Sequence, residues 1–322
     1  MFKLVKKQPI KPITLREHYE RKDSILIKRR VGGYGDILMQ RMMFEDFSKN
    51  LPQLKFTYCC PEAYLPFASN HPFVKTQPWE KTDERNYGAI YDISTACRVH
   101  ESRHGIKNTE HRSDIWAKHC GVDLNNHKMH LATDEKIDNF CRQHLAEYNP
   151  HNFKTILLAL KSTSCEFGIA KSMTDDQIKD LINELKKRDF FVFTVHNEFL
   201  EVYEKNNVPQ FVHVDQEMWK SFVNVSDFVI SVDTATFHLA GGLNKKLVGI
   251  FSFTNGKIYG KYYNFTLVQR HFDNGNWDCG PCYNMTDCPK SCELVKPCMT
   301  SLQTSEIIEA LDIETKKEKH ES

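Results

Sequence analysis

The chain has 322 residues, 40% hydrophobic and 26% charged, with a formal net charge of +1. That balance suits two globular domains, each with its own core, and gives no overall field that would draw a polyanion. The sign is uneven, because residues 1–30 hold ten Lys or Arg against Glu17, Glu20 and Asp23. Residues 1–23 therefore read either as a solvated basic extension or as a peripheral contact for a membrane surface or polyanion. The first seven residues lack the apolar stretch of a signal peptide, and apolar runs such as 156–160 and 190–193 are too short to cross a bilayer. A soluble, cytoplasmic protein is expected, with peripheral contact at the inner face of a membrane through the basic arm as an option.

Two halves each open with an apolar strand, then a loop, then a helix. In the first, residues 24–30 form the strand and Gly32-Gly33-Tyr34-Gly35-Asp36 the loop. The helix after it carries a polar stripe at Arg41, Glu45 and Ser48, with apolar residues around the rest. Residues 55–60 and 87–93 predict further strands, separated by connections rich in proline at Pro61, Pro66, Pro72 and Pro78. A polar helix over 134–148 ends at Asn149-Pro150, which sets the expected domain boundary between 24–150 and 151–315. The second half opens with a strand at 155–160 and a polar loop. A helix follows with Ile178, Leu181, Ile182 and Leu185 at i, i+3, i+4 and i+7. Strands at 190–194, 228–232 and 247–253 complete the series, and the polar residues 316–322 read as a disordered tail. Strands alternating with helices predict parallel sheets, with ligands beyond the carboxyl ends of the strands.

The first loop lacks the third glycine of a dinucleotide fingerprint, and no acidic residue near the end of the next strand would hold a ribose. Its glycines, Gly32, Gly33 and Gly35, allow a tight turn and close approach to a ligand. Asp36 stands at the helix start, where a carboxylate repels phosphate and suits a neutral hydroxyl-bearing acceptor. It reads either as a helix cap worth about 1 kcal/mol or as a catalytic carboxylate. The second loop, residues 232–240, again follows an apolar strand and opens a short helix. Backbone N–H groups, Thr234, Thr236 and His238 converge there on a helix N-terminus, a natural site for a diphosphate. Asp233 alone reads equally as a cap, and His238 alone as a core histidine.

Together the two loops resemble the lipopolysaccharide heptosyltransferase family, glycosyltransferase family 9. Residues 25–38 are similar to the family's opening strand, glycine loop and Asp. Ser231-Val232-Asp233-Thr234 with His238-Leu239-Ala240 resembles its donor motif, and 247–253 with Thr254 and Tyr259-Gly260 resembles the strand and loop that follow. The resemblance implies a GT-B fold: two Rossmann-like α/β domains, with parallel sheets, facing across a cleft. It also implies inversion at the anomeric carbon with no metal or cofactor required for catalysis, and the chain contains no Asp-x-Asp. Asp36 would be the general base, and Asp233, Thr234 and His238 would line the diphosphate and sugar of an ADP-heptose-like donor. Lys171 would offset charge on the leaving diphosphate, and Ser162 and Thr163 in the same loop would hydrogen-bond phosphate oxygens. A glycan such as lipopolysaccharide core would be the acceptor. A nucleic-acid base, a protein acceptor or a catalytically inactive relative that binds nucleotide or glycan are the alternatives.

The chain departs from the family where Ala235 replaces a glycine, where Lys171-Ser172-Met173 lacks a tryptophan, and where Asn255-Gly256 replaces a proline after Thr254. These departures bear on the donor sugar rather than on the fold. Near the C-terminus Cys279, Cys282, Cys288, Cys292 and Cys298 are spaced x₂, x₅, x₃ and x₅. The first four suit a structural zinc, with Cys298 as an alternate ligand. Free thiols, disulfides and an iron–sulfur centre stay open, and the segment 279–298 would staple the loop before a last helix around Ile307, Ile308 and Leu311.

Overall fold

The computed structural model describes residues 24–162, 171–252, 254–269 and 297–321. Their strands form two wholly parallel sheets. The first contains β1 (Ser24–Lys28), β2 (Lys55–Cys60), β3 (Lys75–Pro78) and β4 (Ala89–Asp92), in the order β3-β2-β1-β4. The second contains β5 (Lys154–Ala159), β6 (Phe190–His196), β7 (Gln210–Val212), β8 (Phe228–Val232), β9 (Lys246–Ile250) and β10 (Thr266–Val268). Its order is β10-β9-β8-β5-β6-β7. The inner strands read as near-continuous apolar runs because their residues are buried on both sides of the strand. Each order reverses beside its first strand, between β1 and β4 and between β5 and β8. A crevice opens at such switch points in doubly wound sheets, and the glycine loop after β1 and the 232–240 loop after β8 both emerge there.

The long strands fall within a residue or two of the sequence expectation, except that β9 ends at Ile250, three residues early; the short edge strands β3, β7 and β10 were not expected. β3 lies inside the proline-rich connection and ends on Pro78. At a sheet edge the missing N–H removes no ladder bond from the interior.

Helix α1 (Tyr34–Asn50) follows β1, and its residues from Ile37 to Phe47 are all buried. Of the polar stripe, Arg41 and Glu45 are buried with the rest and Ser48 is half-buried. Arg41, 2% exposed, donates to the carbonyls of Phe67, Ala68, Ser69, Met129 and His130 at 2.7–3.0 Å. Satisfied in this way, the guanidinium ties α1 to the end of the short helix Leu65–Ala68 and to the chain at Met129 and His130. The short helix Leu65–Ala68 and helices α2 (Ala96–His104), α3 (Arg112–His119) and α4 (Glu135–Tyr148) also belong to the first half of the chain. The apolar core there runs on into one face of the second sheet through Phe193, Phe222 and Phe237. The other face, with Ile156, Leu158, Ile230 and Val248, packs under α5 (Asp175–Lys187) and the C-terminal helix (Thr304–Glu321).

Helix α5 buries Ile178, Leu181, Ile182 and Leu185, the stripe read from sequence, and starts with a capping box between Thr174 and Gln177. The C-terminal helix buries Ile307, Ile308 and Leu311 and continues to Glu321. Residues 316–321 are thus helical rather than a disordered tail. The segment is rich in good helix formers, and Lys317 pairs with Glu314 one turn back at 2.6 Å. No helix among the described residues is long and apolar enough to cross a membrane.

Candidate active site

Between the two sheets lies a cleft of about 750 Å³, walled on one side by Gly32–Asp36, Tyr64 and Arg112. Ser162, Lys171, Asp233–Thr236, His238 and Tyr259 wall the other. The two loops approach closely: a Cβ at Gly35 would stand 2.8 Å from His238 Cδ2 and 3.7 Å from Ala235 Cα. Gly33 is open, since a Cβ there would meet no atom within 4 Å. Gly32 is the strained member. Its φ of +127° favours glycine, and a Cβ would sit 2.3 Å from Arg29 Nη2.

Asp36 is not a cap. The N-cap of α1 is Gly33, and Asp36 sits in the first turn with its carboxylate turned elsewhere. Oδ2 accepts from Arg29 Nη2 and Oδ1 from Arg112 Nη1, both at 2.7 Å. Burial alone would push the carboxyl up. Arg112 first, then Arg29 and His238 across the cleft, outweigh it and hold the pKa below the ordinary carboxylate value. Arg112 also grips Glu101 with Nε and Nη2 at 2.7 and 2.8 Å. Arg29 lies over the Trp116 ring, 4.9 Å from its centroid.

On the facing wall, helix α7 (Ala235–Gly242) is preceded by Thr234 as N-cap, which makes no side-chain capping bond. Helix α6 (Gln216–Val225) lies just before β8 in sequence. Asp233 is therefore not a cap either. Its buried carboxylate pairs with Lys171 Nζ at 2.7 Å and accepts from Thr254 Oγ1 at 2.6 Å, with His238 Nε2 at 3.7 Å. Burial raises its pKa, but Lys171 and then His238 overcome this and hold it well below the carboxylate range. His238 Nδ1 lies 3.0 Å from the Tyr263 hydroxyl. That phenol is pushed up by burial and by Asp233, so it stays protonated. Thr234 Oγ1 lies 3.1 Å from Ser231 Oγ, and the Ser162 amide donates to Ser172 Oγ at 2.8 Å. Together these present hydroxyls, an ammonium, an imidazole and free helix N–H groups to one patch of the cleft, an arrangement that favours a bound anion.

Of the residues singled out from sequence, Asp36, Gly32, Gly33, Gly35, Ser162, Lys171, Asp233, Thr234, Ala235 and His238 line this one cleft. Thr163 lies outside the described residues. So do Cys279, Cys282, Cys288, Cys292 and the side chain of Cys298, where zinc was considered. The described Cys59, Cys60, Cys97, Cys120 and Cys141 are buried free thiols. Sequence reading missed Arg29, Glu101 and Arg112. A charge at the end of a buried strand, directly before the glycine loop, was the available signal for Arg29. Glu101 and Arg112 carry no local signal, since the Arg112–Asp36 contact spans 76 residues.

No protein-family model and no curated protein sequence matches the chain. Solved structures do. ADP-heptose lipopolysaccharide heptosyltransferase II of E. coli superposes with a TM-score of 0.67 at 12% identity, covering 92% of this chain and 99% of that one. A glycosyl transferase family 9 protein of Veillonella parvula DSM 2008 gives 0.66 at 12% identity over 92% and 97%. E. coli heptosyltransferase WaaC, solved with ADP-2-deoxy-2-fluoro heptose, gives 0.53 at 16% identity over 90% and 99%. With its two parallel sheets flanking a cleft, the chain has the GT-B fold of these heptosyltransferase and family 9 structures.

Proposed function

We propose that the chain is an inverting, metal-independent glycosyltransferase that moves a sugar from a nucleoside-diphosphate donor to a hydroxyl of a saccharide acceptor. The observation that carries this reading is the confrontation of Asp36 with the 233–238 helix end across one cleft. In the reaction the acceptor hydroxyl gives its proton to Asp36 while its oxygen attacks the anomeric carbon from the face opposite the diphosphate. The bond from that carbon to the phosphate oxygen breaks, and the nucleoside diphosphate leaves with the electron pair. Lys171, His238 and the N–H groups of α7 stabilise the charge that builds there, the task a divalent ion performs in metal-dependent designs. The two arginines on Asp36 guarantee a carboxylate at neutral pH at some cost in basicity.

An ADP-heptose-like donor is the first candidate because WaaC was solved with a fluorinated ADP-heptose. Ala235 in place of glycine puts a methyl group beside that site and makes a different sugar the second. Lipopolysaccharide core is the corresponding acceptor, reached by a cytoplasmic protein at the membrane surface through the basic residues 1–23. The test is a panel of nucleotide sugars with EDTA present, read by thermal shift and by nucleoside-diphosphate release. One donor should both stabilise the protein and release its diphosphate. Stabilisation without release, even with a glycan acceptor added, would favour an inactive binding relative; no stabilisation by any donor would refute the reading.

A further inference from the structure

Asp36 is held by a chain of contacts that starts in the other half of the molecule. Arg112 divides its guanidinium between two carboxylates, with Nη1 on Asp36 and the Nε/Nη2 edge on Glu101. Such a division requires the planar fork of arginine; a lysine ammonium cannot grip one carboxylate edge-on while reaching a second. Glu101 is 1% exposed, so its own orientation needs a partner. The Tyr259 hydroxyl donates to Glu101 Oε1 at 3.2 Å, across 158 residues, and the Tyr259 ring lies 5.0 Å from the Arg112 guanidinium carbon. Tyr259 ends the short helix Gly256–Tyr259 that follows β9. Five residues earlier, Thr254 donates to Asp233. A single loop of the second half thus touches the carboxylate at the donor end and the brace behind Asp36.

We propose that Tyr259 and Glu101 are positioning residues that act through Arg112, so that the seating of the second half on the first aims the Asp36 carboxylate into the cleft. The proposal rests on the glycosyltransferase reading only for its catalytic consequence; the positioning is measurable without turnover. The charged groups facing Asp36 are Arg29 from the end of β1, Arg112 from α3 and His238 from α7. Neutral Tyr58, Tyr64 and Cys97 lie near enough to sense it. Arg29 is common to every variant below, so a change in the titration of Asp36 reports on the Arg112 side.

The experiment is a pH titration of the full chain carrying ¹³Cγ-labelled aspartate, with the Asp36 resonance assigned by its loss in Asp36→Asn. Arg112→Gln should raise the Asp36 midpoint by about one pH unit or more, the scale of losing an adjacent guanidinium. Tyr259→Phe deletes one oxygen and keeps the buried ring. It should raise the midpoint in the same direction by a smaller step, while Asp233 is unmoved; Glu101→Gln removes the carboxylate that compensates Arg112 and should move the midpoint the other way. An Asp36 midpoint in folded Tyr259→Phe equal to that of the wild type would overturn the relay, whatever the polar variants do. If Arg112→Gln or Glu101→Gln fails to fold, the tyrosine variant still decides. A shifted midpoint in a protein that transfers no sugar would leave the relay standing and remove the enzyme reading instead. In an active protein, Tyr259→Phe should lower kcat several-fold with the donor KM unchanged, whereas a merely structural tyrosine would alter neither the midpoint nor this split.

Discussion

Replacing Gly35 by alanine sets two calculable effects against each other. Gly35 is in the first turn of α1 and does not have a positive φ. Helix propensity and unfolded-state entropy therefore favour alanine by about 0.4–1 kcal/mol. The new Cβ, however, would lie 2.8 Å from His238 Cδ2, about 0.6 Å inside the 3.4 Å limit of ordinary contact. His238 is 3% exposed and held by Tyr263 on one side and Asp233 on the other, so it cannot swing away. Overpacking of a fixed interior group costs about 1–3 kcal/mol, and the clash wins. We expect Gly35→Ala to lose about 1–2 kcal/mol net, a fall in Tm of a few degrees, together with weaker binding of any nucleotide at the 233–238 loop. Gly33→Ala, two residues away with open space around it, should change stability by less than about 0.5 kcal/mol. Thermal and urea melts of both variants decide the matter. If Gly35→Ala melts at or above the wild-type temperature, the two loops do not meet as described.

Asp36→Asn should lower transfer about 10²–10⁴-fold while donor-induced thermal stabilisation persists, because the amide keeps the size of the group and loses only its basicity. The Asp233 carboxyl titrates below its unfolded value, so its contribution to stability is present above about pH 4 and is lost as pH falls. Asp233→Asn should flatten the acid limb of a stability–pH curve, measured by urea melts, and a parallel limb would contradict the Lys171 pairing. His71 and His111 are buried with folded pKa values pushed down to about 3, chiefly by burial. The unfolded chain binds their protons below about pH 6.5, so stability is complete above that pH and declines toward pH 3, by up to about 2 kcal/mol each at pH 5. His71→Gln should remove one such share. Arg41→Met should cost about 3–5 kcal/mol, since it strips the donor from five carbonyls, and an unchanged melt would refute that role.

The long strands and α5 were legible because their signals are local: continuous apolar runs and a stripe at helical spacing. β3, β7 and β10 are three or four residues long and form only because a longer strand offers a free edge, information that lies elsewhere in the chain. The stripe Arg41–Glu45 shows the opposite failing, since a polar residue reads the same whether water or a row of carbonyls satisfies it. The two loops that line the cleft were legible for another reason: a glycine-rich or hydroxyl-rich turn at the carboxyl end of a buried strand has few structural uses. What could not be read was the company each carboxylate keeps. Arg112 and Glu101 lie far from the glycine loop in sequence, and the link to Tyr259 crosses from one half to the other.

That company answers an objection raised by composition alone. A diphosphate entering the cleft would meet two carboxylates, Asp36 and Asp233, and bare carboxylates would repel it. Each is instead neutralised from within its own half. Arg29 and Arg112 face Asp36, with Glu101 balancing the second guanidinium; Lys171 sits on Asp233 and His238 stands beside both. At close range in a partly desolvated cleft such pairing decides the sign of the field. The N-terminal dipole of α7 is then left as the uncompensated term, and it favours an anion. On the proposed reading, Asp36 would keep lone pairs for an acceptor proton while contributing little net repulsion to a leaving diphosphate. A carboxylate base and a phosphate cradle can therefore share one cleft, provided the arginines stay in place.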